Sequence, residues 1–281
     1  MTSDSPHTRP HLTLEVAICT LGADGISSVT RMLPSPGEGV SYLVSWQGAD
    51  GLEVPLPLAV RDDVRVIRCN GKGLSVNRNH ALDHAAGDIV LIADDDLVYH
   101  EGAFDAIRQV FEAHPDVDYA SFRHDGPGVR IYPAAETGLG RKLPKGFVQT
   151  SFEVALRRDS RAGRLRYHEE FGLGSGRYIC GEEELLLRRA IASGVKCWFF
   201  PITIVTHPDV STGFRPEDRM AVNRVRGILT VIDHPWSWPL RTALRCWRNG
   251  RWRAVAHGFA GALETCLRPE VRRYVRPKME S

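Results

Sequence analysis

The chain alternates short apolar runs with stretches that repeat at helical spacing. LTLEVAICT (12–20), SYLVSW (41–46), VRVIRC (64–69) and DIVLIA (88–93) have strand length and β-branched content. Between the last two, GLSVNRNHALDHAAG (73–87) reads as a helix, with Ser75 as candidate N-cap and Gly87 as the stop. EGAFDAIRQVFEAH (101–114) is amphipathic and ends before Pro115. Such alternation predicts an α/β chain of βαβ units, with a mainly parallel sheet covered on both faces. In open sheets of this kind, ligands bind beyond the carboxyl ends of the strands.

Further along, VDYASFR (117–123) and GFVQTSFEVALRR (146–158) read as strands. The loop before the second, AAETGLGRKLPKG (134–146), carries three glycines and three basic residues and is expected near a ligand. GEEELLLRRAIASG (181–194) is a helix, with carboxylates at its positive end and Gly194 as its stop. KCWFF and ITIVTH follow as two short strands, and from about Ala221 the pattern is helical, interrupted by HPWSWP (234–239). The expected divisions are a disordered arm at 1–11, an α/β body at 12–220 and a basic helical extension at 221–281.

The chemistry concentrates at four places. The apolar run of GDIVLIADDD leads directly into Asp94, Asp95 and Asp96. Strand alternation would put Asp94 and Asp96 on one face, a pair suited to a hard divalent cation bridging to a phosphate, with Asp95 pointing away. NGKG (70–73) precedes Asn77-Arg78-Asn79, where a helix N-terminus with Lys72 or Arg78 can receive a phosphate. Glu182, Glu183 and Glu184 exceed what the helix dipole needs, so one of them is a candidate general base. His207, in VTHPDVSTG, follows a strand end and is a candidate metal or pyrophosphate ligand.

Composition adds bounds. The chain has 281 residues, 43% hydrophobic and 25% charged, enough for a sizeable core. Its net charge of +2 is unevenly spread: from Arg215 onward 14 Lys+Arg stand against 6 Asp+Glu, while the residues before it hold 22 against 28. Arg241, Arg245 and Arg248 recur at helical spacing, with Trp247 and Trp252 near them, so the tail reads either as a helical pair with solvated arginines or as a surface for anionic lipid. The six cysteines show no zinc spacing, and the longest apolar run, Cys197–Val205, is too short to span a bilayer. A cytoplasmic protein is expected, held peripherally on the inner face of the cell membrane under the second reading of the tail, with no nucleic-acid partner.

AICTLG, GKGLSVNRNHALDHAAGDIVLIADDD and CGEEELLLRRAIASG, in this order, resemble the family 2 glycosyltransferases, whose fold is GT-A: a Rossmann-like sheet with flanking helices. The resemblance covers about residues 12–212. It implies a nucleotide-sugar donor, a glycan or lipid-linked acceptor, a Mn²⁺ or Mg²⁺ ion and inversion at the anomeric carbon. It also implies Thr20 in the nucleotide pocket, Arg78 near base or diphosphate, Asp94 and Asp95 on the donor, Asp94, Asp96 and His207 at the metal, and Glu183, with Glu182 or Glu184 as alternatives, as base. Where many members end the second strand with acidic residues, this chain has Ser45-Trp46-Gln47-Gly48. Gln47 is then a candidate donor contact, and Trp46 either stacks on the base or packs. Two rival readings are a nucleotidyltransferase making a nucleotide sugar and a non-catalytic nucleotide-sugar-binding subunit of a polysaccharide assembly. TLGADG lacks the basic loop that the first of these needs.

Overall fold

The computed structural model describes residues 11–127, 131–208, 218–249 and 252–275, with the side chains of 245–249 left out. Of the arm expected at 1–11, only His11 falls among the described residues. The elements run β1 (Leu14–Leu21), α1 (Gly22–Met32), β2 (Val40–Gln47), α2 (Leu56–Ala59), β3 (Val64–Cys69), α3 (Leu74–His84), β4 (Ile89–Ala93), β5 (Val98–Tyr99) and α4 (Ala103–Ala113). Then come β6 (Tyr119–Asp125), β7 (Thr137–Gly138), β8 (Val154–Arg157), α5 (Glu182–Ala192) and β9 (Cys197–Thr206). Four helices end the chain: α6 (Arg219–Asp233), α7 (Trp238–Asn249), α8 (Trp252–Leu267) and α9 (Glu270–Val275).

One sheet runs β3-β2-β1-β4-β8-β6-β9-β5, with β7 paired to β9. The half from β3 to β4 is parallel, whereas β8 is antiparallel to both its neighbours. Period-two alternation divides the strands between two cores. Val16, Ile18, Val44 and Leu91 face α1 and α4 through Ile26, Val29, Ile107 and Phe111. Ala17, Cys19, Val90 and Ile92 face α3 and α5 through Leu82, Leu186 and Ala190. A third core joins Phe171, Tyr178 and Leu185 to Val225, Ile228 and Ile232 of α6 and to Val271 and Val275 of α9.

Several local expectations are corrected. Ser75 is not the N-cap of α3: Gly73 holds that place, and the Ser75 hydroxyl donates to the Phe171 carbonyl at 2.6 Å. Nor does Gly87 stop the helix, which ends at His84. A Cβ on Gly87 would fall 2.7 Å from the Glu15 nitrogen, and the Glu15 carboxylate accepts the Ala86 and Gly87 N–H groups. The glycine therefore permits a close approach of the chain to β1. Of 146–158, only Val154–Arg157 is strand, because the Thr150 N–H donates to the Glu153 carboxylate and a 3₁₀ turn forms over Ser151–Glu153. The two strands read around Pro201 are one, β9, and the register with β6 shifts across that proline, which has no N–H to donate.

The terminal helices meet backbone to backbone. A Cβ on Gly227 of α6 would lie 2.8 Å from the Gly258 carbonyl carbon of α8, and one on Gly261 would lie 2.9 Å from that of Arg224. Glycine to alanine inside a helix ordinarily stabilises by about 1 kcal/mol. Here the collision reverses the sign: Gly227→Ala should destabilise by about 1–3 kcal/mol, measured by urea unfolding.

Candidate active site

With the order β3-β2-β1-β4, successive connections leave β1 in opposite directions, so a crevice opens between the carboxyl ends of β1 and β4. Thr20 closes β1 and Asp94–Asp96 follow β4 at this place. Because β4 ends at Ala93, strand alternation does not extend to the aspartates, and each has its own tether. Asp94 Oδ1 accepts from Arg78 Nη2 at 2.9 Å, Asp95 Oδ2 from the Thr20 hydroxyl at 2.5 Å, and Asp96 Oδ2 lies 3.3 Å from His207 Nε2. The picture of a working pair with Asp95 as bystander gives way to three distinct environments. Burial pushes the Asp95 carboxyl above its ordinary range, with the charges of Asp96 and Asp94 adding to it and the Thr20 hydroxyl opposing. Gly25 of α1 caps this contact, since a Cβ there would come 2.7 Å from Asp95 Oδ2.

Arg78 lies at the centre of the site. It rises from α3, is 2% exposed, and its Nη1 donates to Glu182 Oε1 at 3.0 Å and Glu183 Oε1 at 3.3 Å. Its guanidinium also lies over the Tyr167 ring, 5.5 Å from the centroid. Burial opposes the charge, but Asp94, Glu183 and Glu182 outweigh it and hold the Arg78 pKa well above normal. The side chain is thus turned inward onto carboxylates. Neighbouring Asn79 is equally internal: it accepts the Tyr167 N–H at 2.6 Å and donates to the Tyr167 carbonyl at 3.0 Å.

Gly181, at φ +95°, turns the chain into α5 and presents Glu182, Glu183 and Glu184 in its first turn. Glu182 is buried, and among the described residues its Oε2 has no hydrogen-bond partner. Burial first, then the charge of Glu183, pushes its carboxyl well above the carboxylate range against the pull of Arg78. Glu183 is the more open of these two: its side chain is 16% exposed, against 6% for Glu182.

The loop before α3 is held closed. Gln47 Nε2 donates to the carbonyls of Gly71 at 3.0 Å and Gly73 at 3.2 Å, and the Leu74 N–H donates to Leu173 O. That helix N-terminus therefore has one fewer N–H for a phosphate than the sequence suggested. Trp46 packs in the core and donates its indole N–H to Gly22 O at 2.9 Å.

His207 has a built surrounding. Its ring stacks on Phe152 at 5.1 Å and 3°, and Phe152 in turn meets the edge of His124, which is bonded to the fully buried Glu153 at 2.7 Å. Asp96 Oδ1 is buried and, among the described residues, without a hydrogen-bond partner. Among the described residues no group of three His, Cys, Asp or Glu is gathered to hold a metal. Asp96 and His207 nevertheless fit a Mn²⁺ or Mg²⁺ ion that takes its other ligands from substrate phosphate and water. Sequence reading missed Phe152, which sits in a run that reads as strand, and Tyr167, which lies in a segment without periodicity. The polar run Ser75–Asn79 was a usable signal, since a helix covering a sheet should be apolar there.

Residues 56–172, less than half of the chain, match the family model described as glycosyl transferase family 2, the family read from the motifs. No curated protein matches. Among solved structures, S. aureus TarS 1-349 superposes with a TM-score of 0.54 at 15% identity, covering 78% of this chain and 66% of that one. TarS 1-349 in complex with UDP-GlcNAc gives 0.54 at 15%, with 78% and 67% covered. The S. aureus TarS structure gives 0.51 at 15%, with 78% and 40% covered. This chain thus spans about two thirds of TarS 1-349 and less than half of the longer TarS structure. At this identity the likeness is one of fold: a GT-A-type sheet with flanking helices, here with a C-terminal helical segment.

Two predictions follow from the charge cluster. Arg78→Leu removes the cation from among Asp94, Glu182 and Glu183 and should cost about 3–5 kcal/mol in urea unfolding. Glu182 has a raised pKa in the fold, so its contribution is intact below the ordinary carboxylate pKa and lost as pH climbs toward the folded value. Calorimetry should therefore find the Tm of Glu182→Gln rising relative to the parent protein between pH 5 and pH 8.

Proposed function

We propose that this chain is a glycosyltransferase that moves a sugar from a nucleotide-diphosphate donor to an acceptor hydroxyl with inversion. The observation that carries the reading is the pairing, across one buried arginine, of the acidic end of β4 with the glutamates that open α5. It is supported by the family match over residues 56–172 and by the GT-A fold.

In this reading Thr20, Asp95 and Asp94 line the donor side, with Gln47 shaping the loop beneath it. Asp96 and His207 would hold the Mn²⁺ or Mg²⁺, which when bound supplies Lewis-acid stabilisation to the departing diphosphate. Glu183 takes the proton of the acceptor hydroxyl as that oxygen bonds to the anomeric carbon. The bond from that carbon to the diphosphate breaks on the opposite face, and the electron pair leaves with the phosphate oxygen. Support for Glu183 over Glu182 is its greater exposure, whereas burial pushes the Glu182 carboxyl well above its ordinary range. Arg78 keeps both glutamates and Asp94 in register. The acceptor is a growing glycan or a lipid-linked intermediate.

The test screens UDP-, GDP-, dTDP- and CMP-sugars with Mn²⁺ by thermal shift and by the nucleotide released, a nucleoside diphosphate from the first three and CMP from the last. UDP-sugars come first because a protein of this fold is solved with UDP-GlcNAc. One donor class should raise Tm and be slowly hydrolysed. Glu183→Gln should keep the shift and lose about 10²–10⁴-fold in turnover, whereas Asp96→Ala should lose the Mn²⁺-dependent part of the shift. Near-full turnover in Glu183→Gln would overturn the base assignment. Binding without any released nucleotide would favour a non-catalytic subunit, and silence toward every donor would overturn the reading itself.

A further inference from the structure

Helix α8 is reversed relative to an ordinary surface helix. Its buried face is small, made of Gly258, Gly261, Ala262 and Thr265, which lets it lie against α6 at Gly227 and Arg224. Its large apolar side chains point the other way. Trp252, Ala256, Ala260, Leu263 and Leu267 recur at steps of four, four, three and four, which confines them to a stripe about 80° wide. All five are exposed, Trp252 to 74% and Leu267 to 82%. The neighbouring α7 packs on α8 through Trp238 against Phe259, 5.7 Å between centroids, and leaves Leu240 and Leu244 outside. In the turn before it, Trp236 is 96% exposed.

The charges around this surface are basic. Arg219 and Arg253 line the same recess as Trp252, and Arg241 is exposed on α7. The acid of α8 is turned elsewhere: Glu264 accepts from Arg177 and from Arg224. Large apolar groups beside tryptophan and arginine, with few acids among them, suit the boundary of an anionic bilayer. Among the described residues no helix is long and apolar enough to cross a membrane, so the fit is to its surface. A second copy docking isologously would set these arginines against themselves.

We infer that the outer face of α7 and α8 docks on an anionic lipid bilayer, with Trp252, Leu263 and Leu267 entering the interface and Arg219, Arg241 and Arg253 meeting the headgroups. This docking does not depend on the identity of the donor. The tail arginines and tryptophan whose sequence spacing first suggested such contact include Arg245, Trp247 and Arg248, whose side chains lie outside the described residues. Arg241 and Trp252 are the two of those tail residues that belong to the surface named here.

The test is flotation of the full chain with vesicles of phosphatidylcholine alone or mixed with phosphatidylglycerol. Binding is expected to the anionic vesicles at about 0.1 M salt, falling about tenfold or more at about 0.5 M salt and on phosphatidylcholine alone. Leu263→Glu combined with Leu267→Glu should weaken it by about tenfold or more, with Tm and donor hydrolysis unchanged because both side chains are exposed. Failure of the parent protein to float, or equal flotation of parent and variant, overturns the inference. So does a concentration-dependent dimer, seen by sedimentation velocity, that the same variant abolishes.

Discussion

A guanidinium 2% exposed and bonded to three carboxylates is the constraint around which this site is arranged. An unpaired ion of either sign is intolerable in that environment, so Arg78 binds the three elements that supply its partners into one geometry. It comes from α3, Asp94 from the end of β4, and the glutamates from the first turn of α5. The end of β4 and the first turn of α5 are therefore positioned by the same charge. Tyr167 and Asn79 complete the enclosure.

The C-terminal helices belong to this arrangement. Residues 171–178, which reach the loop before α3, share a core with α6 and α9. Arg177 and Arg224 converge on Glu264, and burial of that carboxylate is outweighed by their hydrogen bonds, which hold it at about 2. Arg268 reaches Glu170 from the end of α8 at 3.1 Å. The helical layer that shares a core with Phe171, Tyr178 and Leu185 of α5 also carries the outward apolar stripe of α8.

Legibility in the sequence followed periodicity. GDIVLIADDD announced a buried strand emerging into charge because its apolar residues have no other use, and β4 ends at Ala93 as that pattern requires. The helix at 182–192 was equally plain from its charges and stop. Helix α1 was not legible, because GADGISSVTRM buries only Ile26 and Val29 and its glycines and serines argue for a loop. The strand expected across 146–158 failed where Glu153 turned back to the Thr150 N–H, a local bond that competes with pairing.

Hydrophobic spacing alone was sufficient for the α/β class and for the presence of the first four strands, since burial of alternating positions leaves few other arrangements. The partners of each charged group were a matter for the tertiary structure. Asp94, Asp95 and Asp96 are adjacent in the chain, yet each answers to a residue from a different element: Arg78, Thr20 and His207. How deeply each carboxylate is buried and which side of α8 faces out depend on packing and on partners brought from as far as 111 residues away, as His207 is from Asp96. Those distances are closed only by packing.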